Sequence, residues 1–467
     1  MKLLVVLTLL FTGVVKLYAQ TKSNNNKTLS LEQFHEWVLK FHPLAKQSDL
    51  ILDMAAAELT RVKGNFDPKL FYDLNAKTFN DKLYYQYSNG GVKWSSPAAL
   101  EFKTGYENNT GIYLNEESIL PNNGLVYSQI SLPLLQGLLI DERRAALSQA
   151  KIFNQLSLVE KQQMINELLL KSGKAYLDWQ LAFQNYLVYE MAYNISNERY
   201  EGIVQTVYLG DRPAIDTVEA KIQLQDRWLN CQQARLELQN KRWLLSGFLW
   251  SENNEPVVLN DSIIPATTVD LEQAEALIVR YDAEKEIWAG NHPFVNVYQF
   301  KNRQLEVDKR LKKDKLKPVL NLNYNPLFTA SQLSNASLNN YKWGLTAAFP
   351  LLLRKERGAL QQANIKLEQN RLEWNYKKNE QLNKIRNEFQ SFVSFKNQQS
   401  VYKENVERYE VLWKAEKNLF ESGESSLFMI NNRELSYISA QLKQNELVNK
   451  LYKSALEFQV ACGQFTR

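Results

Sequence analysis

The chain has 467 residues, 45% hydrophobic and 23% charged, which excludes a disordered polyelectrolyte and leaves ample apolar side chain for a folded, multi-element architecture. The formal charge of +5 falls to about +3 if a leader carrying Lys2 and Lys16 is removed, too little to argue for nucleic acid as a partner. With two cysteines, three histidines and no HExxH, GxSxG, Walker or CxxC pattern, the usual signatures of metal, nucleophilic and phosphate chemistry are missing, and the expectation is a protein that is not an enzyme and needs no metal or cofactor.

Residues 1–19 read as a secretory signal: Lys2 is the positive start, Leu3 to Val15 the apolar stretch, and Leu17-Tyr18-Ala19 ends on a small residue before Gln20. No cysteine stands at that cleavage point, so nothing supports a lipid anchor there. Beyond residue 20 no apolar run approaches the ~20 residues of a membrane-spanning helix. A mature chain that spans a bilayer must therefore use strands closed into a barrel. A leader followed by a barrel points to a bacterial outer membrane.

Residues 20–250 form a first structural unit. Ser30-Leu-Glu-Gln33 is a capping box that opens a helix through about Lys63, broken at His42-Pro43. Short strands follow over about 69–132. Leu70, Tyr72, Leu74 and Ala76 oppose Asp73, Asn75 and Lys77; Leu100, Phe102, Thr104 and Tyr106 oppose Glu101, Lys103 and Glu107; Val126, Ser128, Ile130 and Leu132 close the segment. This stretch, from Pro68 to Pro133, is longer than its counterpart from Pro318 to Pro350 and is rich in Gly, Asn and Ser. The excess reads as a long outer loop, with room for a hairpin extension of its own.

Long helices are predicted over about 138–208 and 213–247. No proline occurs from Leu134 to Arg212, and Leu158, Ile165, Ser172, Trp179, Tyr186, Tyr193, Tyr200 and Val207 recur every seven residues as a coiled-coil ladder. The first rod would be roughly 105 Å long at 1.5 Å per residue. Gly210 is placed to stop it, and Pro213 to open the returning helix. Cys231, in that helix, and Cys462, near the C-terminus, read as small buried apolar residues; in an oxidising compartment a disulfide is the alternative.

Residues 251–269 are an irregular connecting, equatorial segment. Residues 270–467 then repeat the plan: Asp270-Leu-Glu-Gln273 opens a helix, His292-Pro293 breaks it, strands follow over about 319–349, and long helices run over about 355–421 and 426–462. Leu320, Leu322 and Tyr324 oppose Asn321, Asn323 and Asn325, and Tyr341 to Phe349 alternates in the same way. His42-Pro43 and Pro68 recur as His292-Pro293 and Pro318 at an offset of 250 residues, and Arg144-Ala-Ala-Leu147 and Gly210 recur as Arg357-Gly-Ala-Leu360 and Gly423 at an offset of 213.

With these duplicated units and the turns Gly210-Asp-Arg-Pro-Ala-Ile-Asp216-Thr-Val-Glu-Ala220 and Gly423-Glu-Ser-Ser-Leu-Phe-Met-Ile-Asn-Asn432, the chain resembles the TolC-type outer membrane efflux proteins over nearly its whole mature length. Met429 and Asn432 stand where family members often carry acids, and Ser425 where some carry arginine. His42 and His292 stand where the family usually has Asn.

The resemblance implies an α+β membrane protein: a homotrimer in which four strands per protomer build one twelve-stranded barrel, continuous with a periplasmic α-helical coiled-coil tunnel. One chain has too few strands to close a water-filled barrel alone. The implied function is the outer-membrane exit duct of a tripartite efflux or type I secretion system. It would conduct passively from an inner-membrane transporter, with a periplasmic adaptor protein as second partner, outer-membrane lipid around the barrel, and a gate at the helix tip.

Gate candidates are Asp211, Arg212, Asp216 and Glu219 in the first turn and Glu421, Glu424, Arg433 and Glu434 in the second, each repeated as a ring by threefold symmetry; the plain alternative is a solvated turn. Adaptor-contact candidates are Leu209, Gly210, Ala214, Gly423, Leu427 and Phe428, with packing inside the chain as the alternative. The competing functional class is a non-conducting periplasmic or surface coiled-coil stalk, which accounts for the rods but not for the alternating strands in both units.

Overall fold

A helix pair, antiparallel strands and two long helices follow one another twice along the chain, and several of the element boundaries have a local cause. The structure, a computed structural model, describes residues 27–329 and 339–465, so the expected leader lies outside the described residues. In order, the elements are β1 (Lys27–Leu29), α1 (Leu31–Phe41), α2 (Pro43–Lys63), β2 (Lys69–Phe79), β3 (Lys82–Ser95), β4 (Glu101–Thr110), β5 (Leu125–Pro133), α3 (Glu142–Tyr208) and α4 (Ile215–Ser246). Then come β6 (Ile263–Pro265), α5 (Glu272–Asn291), α6 (Pro293–Asp314), β7 (Val319–Thr329), β8 (Tyr341–Ala348), α7 (Arg354–Glu421) and α8 (Leu427–Ala461).

The predicted capping box forms: Ser30 Oγ accepts from the Gln33 amide at 3.2 Å, and Gln33 Oε1 accepts from the Ser30 amide at 3.1 Å. His42 and His292 leave the helical region, with ψ of 133° and 137°, because a residue before proline is pushed to extended geometry. α3 has 67 residues and α7 has 68, each a rod of about 100 Å. No helix among the described residues is long and apolar enough to cross a membrane.

Two compact units result, and α3 and α7 contribute residues to both. In the first unit (residues up to 42, 171–271 and 395–453), β1 pairs in parallel with β6, so the connecting segment is partly ordered as a strand. α3 pins that pair. The Tyr176 hydroxyl donates to the Leu29 carbonyl at 2.7 Å, and Gln180 Nε2 donates to the Ala266 carbonyl at 2.6 Å. Trp179 and Tyr176 are fully buried, and the Phe34 ring stacks on Tyr176 at 5.8 Å.

The second unit (43–170, 272–394 and 454 onward) holds the sheet, of order β2-β3-β4-β5-β7-β8, antiparallel throughout. Its helical core stacks Tyr281 on Phe389 at 3.7 Å beside Phe392 and Phe458. Cys231 and Cys462 are buried free thiols, one in each unit.

The sheet corrects the expected strand count: six strands among the described residues, not four. Part of the Gly-, Asn- and Ser-rich excess is the hairpin extension for which it had room, with β3 as its second strand, while residues 111–124 between β4 and β5 are an irregular link. Asn80 and Asp81 both take positive φ, 50° and 57°, the geometry of a two-residue hairpin turn, and Phe79 pairs with Lys82 across it. The glycines of β3 and β4 are covered by aromatic side chains from their neighbours. Tyr72 lies over Gly90. Tyr127 reaches across Gly105, and its hydroxyl donates to Asn89 Oδ1 at 2.9 Å. A Cβ at Gly91 would stand 2.1 Å from the Thr104 carbonyl oxygen, so only glycine fits there.

Candidate functional site

Two features of the structure bear on the sites expected from the sequence: the faces of the sheet, and the helical turns at Gly210 and Gly423. The register puts Leu70, Tyr72 and Leu74 of β2, Val92 and Trp94 of β3, Phe102 and Tyr106 of β4, Val126 and Ile130 of β5, Leu322 and Tyr324 of β7, and Trp343 and Leu345 of β8 on one face. Many of these are open to solvent in the single chain, with Leu70 85% and Trp343 64% exposed. The opposite face carries Asp73, Asn75 and Lys77, then Lys93, Glu101, Lys103 and Glu107, then Gln129, Ser131, Asn321, Asn323 and Lys342. It is laced by polar contacts. Lys93 lies 3.4 Å from Glu101, Arg143 bridges Glu101 at 2.8 Å, and Ser131 donates to Asn323 at 2.6 Å. Apolar and polar side chains thus segregate onto opposite faces, and the apolar face is open to solvent across the sheet of the single chain, a large exposed apolar patch of the kind that marks an interaction surface.

The two helical turns are alike. Gly210 has φ of 88° and Gly423 of 79°, and each closes its rod with paired backbone bonds: Gly210 to Val207 and Asp211 to Thr206, Gly423 to Phe420 and Glu424 to Leu419. Ser426 caps α8, accepting from the Met429 amide at 3.3 Å, whereas Ser425 turns to Glu416. Arg212 lies 3.5 Å from Asp216 and 4.3 Å above the Phe420 ring, so it ties the first turn to the end of α7. Arg433 lies 3.9 Å from Glu416, and Glu421 pairs with Lys417 at 3.7 Å. Asp211 and Glu424 are exposed.

Some candidates sit elsewhere than a tip ring or a docking surface requires. Glu434 is 2% exposed; its carboxylate contacts Arg199 of α3 and lies 3.7 Å from Arg227 of α4. Asn431 completes the cluster, accepting from Arg199 at 2.8 Å and approaching Glu219 at 3.4 Å. Arg199 and Arg227 escaped the sequence reading because a charge in a heptad gives no sign of an inward partner on a distant helix. Leu427 is buried with Ile203, Ala220 and Ile430, so it is core and not a contact residue. Leu209 and Phe428, about 70% exposed, and Ala214 remain on the surface.

No group of side chains able to hold a metal ion occurs among the described residues. No family model matches the sequence. No curated protein matches it either. Solved structures do match. The open state of the Neisseria gonorrhoeae MtrE outer membrane channel superposes with a TM-score of 0.65 at 11% identity, over 96% of this chain and 94% of that chain. The outer membrane protein VceC from Vibrio cholerae gives 0.64 at 12% identity, over 93% and 96%. The Campylobacter jejuni CmeC outer membrane channel gives 0.63 at 13% identity, over 93% and 86%. At such identities the likeness is one of fold: this chain has the fold of outer-membrane channels, the fold expected from its resemblance to the TolC-type proteins.

Proposed function

We propose that copies of this chain form a passive duct through a bacterial outer membrane, which receives its cargo from an inner-membrane transporter through a periplasmic adaptor. The observation that carries the reading is the two-faced sheet with open edges. Six antiparallel strands leave β2 and β8 running in opposite directions at the two edges, the directions that antiparallel pairing of β8 of one copy with β2 of the next requires. Three copies of six strands close a barrel of eighteen, a size that leaves an aqueous lumen lined by the polar face. Twelve strands, the number implied by the resemblance, would omit the β2–β3 hairpin, whose apolar and polar sides continue those of the other four strands.

The gate is assigned to the turns. Arg212, Asp216 and Phe420 hold the two turns of one protomer together, while the exposed carboxylates of Asp211 and Glu424 repeat as rings around the axis. Exposed Leu209 and Phe428 offer the adaptor an apolar foothold. The link between the turns is the cation–π contact of Arg212 on Phe420, worth about 0.5–2 kcal/mol, small enough for docking to open the turns.

Membrane fractionation followed by planar-bilayer recording tests the proposal. A duct sediments with outer membranes and conducts after reconstitution. A coiled-coil stalk is released by urea and leaves the bilayer silent.

A further inference from the structure

Where the β3–β4 link at Pro97 meets α3 and α6, the chain forms a half-open cavity of about 730 Å³. We propose that this cavity binds the headgroup phosphate of an anionic phospholipid in the periplasmic leaflet. The proposal rests on the membrane-embedded reading above.

Charge is the first argument. Five cationic side chains line the cavity and one carboxylate, Asp314. Asp314 is 4% exposed and already used: it accepts from the Gly137 amide at 2.6 Å and pairs with Lys317. Arg144 is spent on Asp141, at 3.3 Å, and on the carbonyls of Gly137 and Leu138. Lys151, Arg310 and Lys313 have no carboxylate within ion-pair distance among the described residues. All three are exposed and line one cavity, so an anion seated there would meet cationic donors not already occupied by a carboxylate.

Position is the second argument. Arg144, Leu147, Ser148 and Lys151 follow the helical neighbour spacing and share one face of α3. Glu142, two residues before Arg144 and so about 200° around the helix from it, lines an adjoining smaller cavity, which shares Ile140 and Asp314 with the first and reaches Asn321, a residue of the polar sheet face. The cationic cavity therefore opens on the side of α3 away from the lumen face. Beside it Leu139 is 77% exposed, and the matching link before α7 exposes Leu351 at 92%. An apolar collar followed by cations is the order met on leaving hydrocarbon for the headgroup layer. Phosphate meets Lys151, Arg310 and Lys313, and an acyl chain runs past Leu139 and Leu147.

Native mass spectrometry of the intact, detergent-purified protein titrated with phosphatidylglycerol tests this, with phosphatidylcholine and inorganic phosphate as separate arms. We expect retained phosphatidylglycerol, little phosphatidylcholine, no displacement by phosphate, and retention weakened about tenfold or more in Lys151→Gln/Arg310→Gln/Lys313→Gln. Lys342→Gln, on the lumen face of β8, should retain lipid as the unaltered chain does. Equal retention of the two lipids, or full retention by the triple variant, overturns the proposal. Displacement by inorganic phosphate overturns the lipid assignment in favour of a free-anion site. Bilayer conductance of the same preparations separates the outcomes: a conducting protein without lipid preference loses only this inference, and a silent one loses the duct.

Discussion

Arg199 on α3 and Glu434 on α8, 235 positions apart, form a buried ion pair that joins the two halves of the duplicated plan inside one unit. Arg227 on α4 stands 3.7 Å from the same carboxylate, near enough for attraction and too far for a hydrogen bond. Glu434→Leu would leave two buried guanidinium groups without their anion, at a cost of about 3–5 kcal/mol. Adding Arg199→Met should recover part of that loss. Thermal unfolding of the purified protein, followed by helical circular dichroism, should rank unaltered chain, double variant, then Glu434→Leu.

The matched turns make a second prediction. A side chain at Gly210 or Gly423 meets no neighbouring atom, so any penalty comes from the left-handed backbone alone. Alanine should cost about 1–2 kcal/mol at either site and asparagine less. Hydrogen exchange should show faster opening of the last turn of α3 or of α7. Equal protection in the alanine variants would mean that the turns carry no such strain.

Acid should loosen the α5–α6 junction. His292 Nδ1 accepts from the Phe294 amide at 3.1 Å, so Nε2 carries the proton and donates to the Val460 carbonyl at 3.0 Å. Burial holds the ring below its ordinary value of 6.5, although the Val460 carbonyl works the other way; burial also lowers His42. The unfolded chain therefore takes up protons that the folded chain refuses. The stability is complete above about 6.5 and is lost as pH falls through the lowered folded value. His292→Gln should flatten the decline in melting temperature between about pH 7 and pH 5.

The extra hairpin can be tested by substitution. Gly91→Val drives a branched side chain into the Thr104 carbonyl and should abolish barrel assembly, seen as loss of outer-membrane fractionation. Tyr127→Phe removes only the bond to Asn89, at about 1 kcal/mol, and should still assemble.

These residues also mark how far the sequence could be read. Period-two alternation in β2, β4, β5, β7 and β8, and the glycine stops at Gly210 and Gly423, are local signals, and the structure contains them. At β3 only room for a hairpin extension was legible, because Gly90-Gly91 with Asn and Ser breaks the alternation; the aromatic rings that cover its glycines come from other strands, which spacing within the segment does not reveal. Glu434 as a gate candidate and Leu427 as an adaptor-contact candidate rested on closeness to a turn, with packing inside the chain as the alternative for Leu427; α8 directs both inward, onto Arg199 and Ile203. Partners more than two hundred positions away decide such burial, and local pattern carries no record of them.

The most direct test is electron cryomicroscopy of the protein in lipid nanodiscs, resolving the ring of strands. The account predicts three chains closing a barrel of eighteen strands, with β8 of each beside β2 of the next. A water-soluble monomer, or a ring of twelve with the β2–β3 hairpin outside it, would contradict it.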